Sequence, residues 1–322
     1  MKKVLITGAG GFVGKYLSKI YADKNEYEVY GTVRNEADCV TDGCIKIVLD
    51  LKKQELVDEI IKTIKPDIVV HLAAQSSVKL AWEDPIETMY TNVIGTMFLL
   101  DSLKKYDNDA KIVLVGSSEE YGSAVKKDPY INEESSCVPE NIYAISKYTQ
   151  GRIGRLYAKT YGMDIVMTRS FNHTGPMQSP TFVVSDFCRQ VAMIEKGLQE
   201  NVIRVGNLSA YRDFTDVRDI AYAYYLLSIN GKRGEVYNVA SGMTLQIEQI
   251  LNKIVSMSDT QIIVEIDPNK FRPTEVPKIC PDITKIKEDT GWEPKIDIDD
   301  TIEDVLNYWR NELPKSKVRR KK

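Results

Sequence analysis

The chain has 322 residues, 43% of them hydrophobic, and 43 basic against 46 acidic side chains give it a net charge of −3. This apolar content is enough for a sizeable core, so the length predicts one large or two unequal lobes and excludes a disordered chain. The near balance of charge argues against a nucleic acid or a membrane surface as the main partner. A small molecule is the expected partner.

Cysteine usage and hydropathy indicate the compartment. The five cysteines are odd in number and form no C-x-x-C pair, so neither a disulfide framework nor a metal site is predicted; they are Cys39, Cys44, Cys137, Cys188 and Cys280. Such usage is typical of a reducing compartment. The sequence contains no apolar run of about 18 residues, the length needed to cross a bilayer. We expect a soluble, unprocessed, cytoplasmic protein.

From residue 2 to about residue 172, short β-branched apolar runs alternate with longer amphipathic stretches, which predicts repeated strand-then-helix units. The predicted strands read KVLIT, YEVYGTV, IKIVL, DIVVHLA, KIVLVG and DIVMTRS. Continuous apolar strands of this kind are buried on both faces of a sheet. The sequence therefore predicts an α/β, Rossmann-like fold with a doubly wound parallel sheet.

Beyond residue 172 the pattern loosens. It predicts helices near 182–197, 218–229, 244–257 and 300–312, and strands at VIRVG, RDFTDV and VYNVAS. We expect a dinucleotide-binding domain of residues 1–171 plus about 214–242, and a smaller α/β substrate-binding lobe of 172–213 and 243–314. The tail 315–322 has six basic residues in eight and is expected to be disordered. The ligand cleft is expected between the lobes.

The segment TGAGGFVG, residues 7–14, follows the first strand and opens the first helix. In this context the backbone amides at a helix N-terminus can hold a pyrophosphate. The segment therefore predicts a dinucleotide site. The expected contact residues are Gly8, Gly10, Gly11, Phe12, Val13 and Gly14.

The end of the second strand carries Arg34 and Asn35, where an NAD enzyme usually has an acidic residue for the ribose 2′-hydroxyl. Arg34 can pair with a 2′-phosphate, so NADP is preferred, with NAD as the open alternative. After the third and fourth strands the same edge continues with further expected cofactor contacts, which are Asp50, Leu51, Leu72, Ala73, Ala74, Gln75 and Ser76. His71, inside the fourth strand, is interpreted as a hydrogen-bonded core histidine rather than a catalyst.

Tyr143 and Lys147, in the segment YAISK, begin a predicted helix, and their spacing of four places the phenol and the ammonium on one helix face. A nearby Lys⁺, together with an oxidised nicotinamide, would lower the phenol pKa from about 10 toward that of a working acid/base. One crossover earlier a strand ends in GSSEEYG, where a hydroxyl can hydrogen-bond the substrate oxygen that Tyr143 protonates. We predict Ser117, Tyr143 and Lys147 as the catalytic set.

These motifs resemble the extended short-chain dehydrogenase/reductase family over essentially the whole chain: TGAGGFVG, LAAQSS, the segment NVIGT from Asn92 to Thr96, the serine strand and YAISK. The resemblance implies hydride exchange at a hydroxyl or keto carbon of a nucleotide-linked sugar, with Tyr143 and Lys147 also contacting the cofactor. The second lobe would grip the nucleotide diphosphate. The family also implies a homodimer with a four-helix interface formed by helices at roughly 86–105 and 141–161.

Within this family the sequence is most similar to the GDP-mannose branch of dehydratases and reductases, through VGNL, RDFTDVRD and FRPTEV. Arg212 and Arg272 have guanidinium groups suited to bidentate phosphate contacts. Glu275 could accept hydrogen bonds from both ribose hydroxyls. The alternative is that these arginines pair with local carboxylates such as Asp213.

Residues 169–184, RSFNHTGPMQSPTFVV, contain one of only two histidines. The resemblance implies that Asn172 contacts the sugar or its phosphate, that His173 lies against the nicotinamide side of the cofactor, and that Val183 also contacts substrate. Dehydratases of this branch typically continue Asn-His-Glu-Ser-Pro and add a basic pair in the next helix. Here Thr174 follows His173, and Ser185 and Asp186 replace the basic pair, which favours a reductase.

The expected reaction is reduction of the C4 keto group of GDP-4-keto-6-deoxy-D-mannose to GDP-6-deoxy-D-mannose, in nucleotide-sugar biosynthesis. Glu119 stands where a dehydratase has its extra acid/base, so it does not discriminate. It accepts from substrate hydroxyls beside Ser117 and Ser118, or is only a helix-start carboxylate. A GDP-mannose 4,6-dehydratase, an epimerase or dehydratase of another nucleotide sugar, and a non-catalytic NADP-binding sensor stay open. The face of C4 that receives hydride is also open.

Overall fold

The computed structural model describes residues 1–106, 109–271 and 278–314. Its strands are β1 (Lys2–Thr7), β2 (Tyr27–Val33), β3 (Cys44–Val48), β4 (Ile68–His71), β5 (Lys111–Leu114), β6 (Tyr130–Ile131), β7 (Ile165–Ser170), β8 (Asn172–Thr174), β9 (Val202–Val205), β10 (Tyr211–Asp216), β11 (Val236–Val239), β12 (Thr244–Gln246), β13 (Ile263–Ile266) and β14 (Cys280–Pro281).

The α-helices are α1 (Phe12–Ala22), α2 (Gln54–Ile64), α3 (Val78–Glu83), α4 (Pro85–Met89), α5 (Gly95–Lys105), α6 (Ile142–Tyr161), α7 (Val183–Glu195), α8 (Val217–Asn230), α9 (Ile247–Ser256), α10 (Thr284–Thr290) and α11 (Ile298–Glu312). A π-helical turn spans Tyr90–Ile94, and short 3-10 turns span Ser118–Tyr121, Ser123–Lys126 and Pro268–Lys270. The strands and helices predicted from the hydrophobic pattern are all present, with boundaries shifted by a few residues.

The main sheet has seven strands in the order β11-β7-β5-β4-β1-β2-β3. Every neighbouring pair in it is parallel, and Val4 of β1 lies opposite Val29 on one side and Ile68 on the other. The strand order reverses direction at β1, with β2 on one side and β4 on the other. This is the doubly wound parallel fold that was predicted, and its ligand crevice is expected at this reversal.

Both faces of the sheet are covered, which explains why the strands are apolar without alternation. Val4 and Ile6 belong to a core cluster that includes Leu17 and Ile220 from α1 and α8. Leu5, between them, belongs to the opposite cluster, which contains residues of α2, α5 and α6. Alternate residues of one strand therefore enter different cores, as the pleat of a strand requires.

A third core cluster is formed by α7, α9 and α11 with β9 and β10, and includes Phe187, Ile250 and Leu306. Arg310 of α11 ties this cluster together by donating to both oxygens of Glu195, at 2.8 and 2.7 Å. The described residues also form three small sheets, in the orders β12-β10-β8, β13-β9 and β14-β6. Ile286 and Trp292, which follow β14 in the chain, pack into the first core beside α8 rather than into this cluster.

The helix expected over roughly 86–105 is present and contains a π-turn. It consists of α4, the π-turn at Tyr90–Ile94 and α5. The side chain of Asn92, inside this turn, bonds both backbone groups of Gln75, accepting from its N–H at 2.8 Å and donating to its carbonyl at 3.0 Å. A π-turn widens a helix by one residue and is frequent at functional sites. The long helix predicted here is therefore present, and it contains a π-turn that the sequence pattern did not indicate.

No helix in the described ranges is long and apolar enough to span a bilayer. The same ranges contain no group of three His, Cys, Asp or Glu side chains placed to hold a metal ion. The five cysteines are free thiols.

Candidate active site

The carboxyl ends of the parallel strands gather the predicted site residues along one edge of the sheet. Thr7, the last residue of β1, accepts a hydrogen bond from the N–H of Ala73 at 3.2 Å. The N–H of Gly8 in turn donates to the hydroxyl of Thr32 at 3.3 Å. The glycine turn is therefore tied to the ends of both neighbouring strands, at the point where the strand order reverses.

The glycine turn is shaped by positions where a side chain does not fit. Gly8 has φ +74°, and a Cβ there would lie 2.9 Å from the N atom of Ala73. A Cβ on Gly14 would lie 2.3 Å from the carbonyl oxygen of Gly8, so only glycine lets α1 pack this closely on the turn. Gly11 is the N-cap of α1 and has no side chain to bond the first amides of the helix. These features fit a dinucleotide, whose pyrophosphate binds such free amides.

The segment that follows β7 is clamped onto the glycine turn. The imidazole of His173 stacks on Phe12, with ring centroids 6.0 Å apart and planes 9° apart. The phenol of Tyr16 donates to the carbonyl of Pro176 at 2.9 Å. Gln178 is buried and donates to the carbonyl of His173 at 2.8 Å. The histidine of this unusual segment therefore lies beside the predicted cofactor turn.

Ser117 and Tyr143 come together at the end of β5. The Ser117 hydroxyl lies near the phenol of Tyr143, and this interaction lowers the pKa of Tyr143. The start of α6 is held in place by its N-cap Asn141, which accepts from the N–H of Ala144 at 2.8 Å and donates to Glu119 at 3.1 Å. Because Asn141 links the helix start to the serine strand, Tyr143 is positioned by local capping.

Lys147 lies one helical turn after Tyr143 and is buried. Its ammonium donates to the amide oxygen of Gln150 at 2.9 Å. Burial lowers the pKa of Lys147 to about 8, and the charge of Glu120 opposes this shift. Burial raises the pKa of Tyr143, and nearby Glu119 and Glu120 raise it further, although the contact with Ser117 lowers it. Burial is therefore the largest influence on the pKa of Tyr143 in the chain by itself. The lowering expected from Lys147 together with an oxidised nicotinamide stays a prediction.

His71 is a core histidine, as predicted. Its Nδ1 accepts from the hydroxyl of Thr7 at 2.7 Å, and its Nε2 donates to the hydroxyl of Thr96 at 2.9 Å. The hydroxyl of Thr96 donates a hydrogen bond to the carbonyl of Asn92 at 2.7 Å, so it must accept from His71. The proton of the neutral imidazole is therefore on Nε2. Burial lowers the pKa of His71 to about 3, with a smaller contribution from Lys147. The ring is a structural link between β1, β4 and α5.

The residues predicted to contact the adenosine end of the cofactor are more exposed than the predicted catalytic residues. Arg34 and Asn35 are exposed just after β2, and within the described part of the chain Arg34 has no carboxylate partner. Asp50 is half-buried and Leu51 is buried after β3. Lys52, next in the chain, pairs with Glu87 at 2.8 Å. Lys52 lies near Arg34 and Asp50, and its charge is balanced by Glu87.

The predicted substrate residues occupy the other side of the same cleft edge. Asn172 is exposed on β8, beside Phe214 of β10. Val183 begins α7, and Arg212 is half-buried on β10 with Nη1 donating to the carbonyl of Tyr211 at 2.8 Å. Arg272 and Glu275 lie outside the described residues. Asp213 directs its carboxylate to the backbone and hydroxyl of Ser241, at 2.8 and 2.9 Å.

Three polar residues beside the site were missed in the sequence. Asn92 donates to the hydroxyl of Ser146 at 2.9 Å, and Gln150 holds Lys147. Glu120 is buried behind Ser117 and contacts Arg169. Both Asn92 and Gln150 could have been predicted from the sequence. Asn92 belongs to a family motif, and Gln150 lies three residues after Lys147 on the same helix. Glu120 could not have been predicted, since nothing in the segment GSSEEYG distinguishes a buried glutamate from an exposed one.

Comparisons with known proteins agree with this geometry. A model of the GDP-mannose 4,6 dehydratase family matches residues 5–305. The GDP-6-deoxy-D-mannose reductase of Pseudomonas aeruginosa is 30% identical over 312 residues, which cover 97% of this chain and 98% of the relative. The GDP-mannose 4,6-dehydratase of Vibrio cholerae is 27% identical over 350 residues, covering 95% of this chain and 93% of the relative.

Two solved structures have the same fold. RMD from Pseudomonas aeruginosa complexed with NADPH is similar with a TM-score of 0.87 and 29% identity, covering 97% of this chain and 100% of that one. The UDP-glucose 4-epimerase of Thermus thermophilus in complex with NAD has a TM-score of 0.86 and 25% identity, again covering 97% and 100%.

The fold and the motifs together define an enzyme of the extended short-chain dehydrogenase/reductase class. Within that class, the chain belongs to the GDP-mannose 4,6 dehydratase family. Proteins named as reductases and proteins named as dehydratases are both among its relatives. The family alone therefore does not choose the reaction.

The depressed pKa of His71 predicts an acid-sensitive fold. Between its ordinary pKa of 6.5 and the folded value of about 3, the unfolded chain takes up a proton that the folded protein refuses. Stability from this residue is thus complete above pH 6.5 and is lost at about 1.4 kcal/mol per pH unit as pH falls toward 3. The free energy of unfolding of His71→Gln, measured with urea at a series of pH values, should fall less steeply with decreasing pH than that of the wild type. The difference in slope should correspond to about one proton. Equal slopes for the two proteins would contradict the assignment.

Proposed function

We propose that this protein reduces the C4 keto group of GDP-4-keto-6-deoxy-D-mannose to GDP-6-deoxy-D-mannose, with NADPH as the preferred cofactor and NADH as a possible one. The observation that carries the proposal is the contact of Ser117 with Tyr143 at the edge of the sheet that also bears the glycine turn. The similarity to a GDP-6-deoxy-D-mannose reductase supports the choice of substrate. We further propose that the protein acts in the cytoplasm, in nucleotide-sugar biosynthesis for polysaccharides.

The cofactor would be held by the residues that follow the first four strands. Those we assign to it are Gly8, Gly10, Gly11, Phe12, Val13, Gly14, Arg34, Asn35, Asp50, Leu51, Leu72, Ala73, Ala74, Gln75, Ser76, Tyr143, Lys147 and His173. When bound, NADPH supplies the hydride for the ketone carbon. The free amides at the start of α1 suit the pyrophosphate, and the exposed guanidinium of Arg34 suits a 2′-phosphate.

The chain's own residues then supply the proton and hold the substrate oxygen. Ser117 donates a hydrogen bond to the C4 oxygen and orients it toward Tyr143. Tyr143 transfers its phenolic proton to that oxygen as it becomes an alkoxide. Burial raises the pKa of Tyr143, so the phenol is protonated at neutral pH before the reaction. The charge of Lys147 stabilises the phenolate that remains.

We propose a dinucleotide-binding domain of residues 1–171 and about 214–242, and a second lobe of residues 172–213 and 243–314. The second lobe would bind the substrate. Its separate core of α7, α9 and α11 supports this division. Arg212 and Arg272 would contact the diphosphate and Glu275 the ribose. Asn172, Val183, Ser118 and Glu119 would line the sugar site.

A GDP-mannose 4,6-dehydratase is the second candidate, because Glu119 is held next to Tyr143 by Asn141 and could serve as its extra acid/base. Two positions in α7 favour the reductase. Ser185 is buried, donates to the carbonyl of Gln178 at 2.7 Å and accepts from the indole of Trp309 at 3.0 Å. Asp186 pairs with Lys270 at 2.8 Å. Both positions therefore serve packing here, where a dehydratase typically has basic side chains.

The proposal is tested by following NADPH absorbance with each substrate. Addition of GDP-4-keto-6-deoxy-D-mannose should oxidise NADPH stoichiometrically, whereas GDP-mannose should cause no reaction. Tyr143→Phe, which removes the phenolic hydroxyl and keeps the ring, should lower kcat by about a hundredfold or more while the protein still binds NADPH. Conversion of GDP-mannose to the keto sugar without net cofactor change would instead identify a dehydratase.

Cofactor preference is tested at Arg34. Arg34→Leu should weaken NADPH binding about tenfold or more, because a charge-assisted contact to the 2′-phosphate is lost, and should leave NADH binding unchanged. Titration of nicotinamide fluorescence gives both dissociation constants. Lys62→Leu, which removes one exposed positive charge from α2, is the control. Equal weakening of the two cofactors would reject a role for Arg34 in selecting NADPH.

We also propose that two copies associate through α4, the π-turn and α6. Large apolar side chains are exposed along this surface, among them Ile86 at 78% and Leu156 at 59%. Tyr90 and Ile145 are exposed between them. Apolar exposure on two neighbouring helices is what a four-helix interface would cover.

The double variant Ile86→Asp, Leu156→Asp should convert the dimer to a monomer, because it buries two charges in an apolar contact. Light scattering after size-exclusion chromatography measures the mass. Ile229→Asp changes an apolar residue that is 47% exposed on α8, and should leave the dimer intact. A monomeric wild-type protein, or a dimer that survives the double variant, would refute this interface.

A further inference from the structure

Glu120 is a buried carboxylate for which the proposed reaction has no use. It follows Glu119 in the 3-10 turn behind Ser117, and only 4% of the residue is exposed. A buried carboxylate is costly unless it is paired and hydrogen-bonded. Its partners therefore indicate what it contributes to the site.

The carboxylate of Glu120 joins two parts of the structure. Its Oε1 accepts a hydrogen bond from the N–H of Ser117 at 2.9 Å, and its Oε2 accepts from Nε of Arg169 at 3.3 Å. Arg169 continues the network by donating to the phenol of Tyr121 at 3.2 Å and to the carbonyl of Glu133 at 2.9 Å. The backbone of Ser117 is thus anchored to β7 through two buried side chains.

The chain leaves space for this carboxylate at a specific position. A Cβ on Gly116 would lie 2.4 Å from Oε1 of Glu120 and 2.2 Å from the carbonyl oxygen of Thr168. Any larger residue at 116 would displace Glu120 or the strand. Glycine at 116 therefore allows the close approach of β7 and leaves room for the Glu120 carboxylate.

The second group that Glu120 acts on is Lys147. The ammonium is buried and its hydrogen-bond partner, Gln150, is neutral. The titratable groups that face it are Glu120 from the 3-10 turn, His71 from β4, which is neutral, and Tyr143 from α6. Glu120 itself faces Arg169 of β7, Cys137 and Tyr143. Within the described residues, Glu120 is thus the carboxylate whose charge supports the ammonium form of Lys147.

We propose that Glu120 is a positioning residue of the active site, which anchors the backbone of Ser117 and keeps the positive charge on Lys147. The one buried carboxylate then balances the charge of two cations. Lys147 is on the side of the proposed substrate site, and Arg169 is on the opposite side of Glu120. The inference rests on the proposed roles of Ser117 and Lys147 in ketone reduction.

A cavity of about 230 Å³ lies behind this group, lined in part by Glu120, Gln150, Arg169 and Cys137. Its polar walls can accommodate a changed hydrogen-bonding group, so Glu120→Gln should fold. The exposed Glu134 lines the rim of the same cavity, which makes Glu134→Gln the matched control for removal of one carboxylate.

The direct test measures the protonation of Lys147 without substrate. In protein labelled with ¹³C-lysine, the Cε signal of Lys147 is assigned by its absence in Lys147→Met and is titrated with pH by NMR. In Glu120→Gln the midpoint should fall by about one pH unit, because an opposite charge has been removed from beside the ammonium. In Glu134→Gln it should not move. An unchanged midpoint in Glu120→Gln overturns the inference.

Kinetics provide the second readout. The alkaline limit of kcat/KM for keto-sugar reduction should move to lower pH in Glu120→Gln by the same amount as the NMR midpoint, with about a twofold loss at neutral pH and about a tenfold loss above the limit. A purely structural role would lower activity without moving the limit.

If Glu120→Gln does not fold, because the buried charge of Arg169 has lost its partner, the double variant Glu120→Gln, Arg169→Gln removes that charge as well. The same measurements can then be made on the double variant. Its alkaline limit and its Lys147 midpoint should stay displaced, and a return to wild-type values would overturn the inference. If the wild-type protein fails to reduce the keto sugar, the proposed function is wrong, and the NMR titration still decides the role of Glu120.

Discussion

The structure depends on one constraint, that a parallel sheet must be covered by helices on both faces. Because Leu5 enters one core while Val4 and Ile6 enter the other, β1 is held between two layers of helices. Each strand then ends at the same edge, where the chain must turn into a helix or loop. The glycine turn, the end of β4 and Ser117 share that edge for this reason. The active site is a consequence of how the sheet is covered.

Proteins named as reductases and as dehydratases are both relatives of this chain, and our choice between the two reactions rests on a few side chains outside the proposed catalytic set. At the start of α7, Ser185 and Asp186 bond Gln178, Trp309 and Lys270, so these positions hold the loop and the helix together. The stack of His173 on Phe12 fixes the same loop against the cofactor turn. A rigid loop suits a reaction that needs only hydride delivery and one proton.

Charge at the site is governed by burial. Desolvation lowers the pKa of Lys147 to about 8 and raises that of Tyr143, so the two groups, left to burial alone, would both tend to be neutral. A neutral phenol is what a ketone reduction needs at its start, but a neutral amine could not stabilise the phenolate that follows. The buried carboxylate of Glu120 acts in the opposite direction on the amine. The site therefore needs a charge that does not itself touch the substrate.

Local sequence determined the fold class, the glycine turn and the YAISK helix, because strand and helix periods and turn glycines report on backbone conformation within a few residues. His71 was correctly read as a core residue, since a polar group inside a buried strand must be satisfied. Only the tertiary structure decided that a π-turn lies at Asn92 within a long helix, that burial raises the pKa of Tyr143, and that Glu120 rather than Glu119 is buried. Burial and long-range pairing decide these points: Glu120 meets Arg169, 49 residues away, only when β5 and β7 pair.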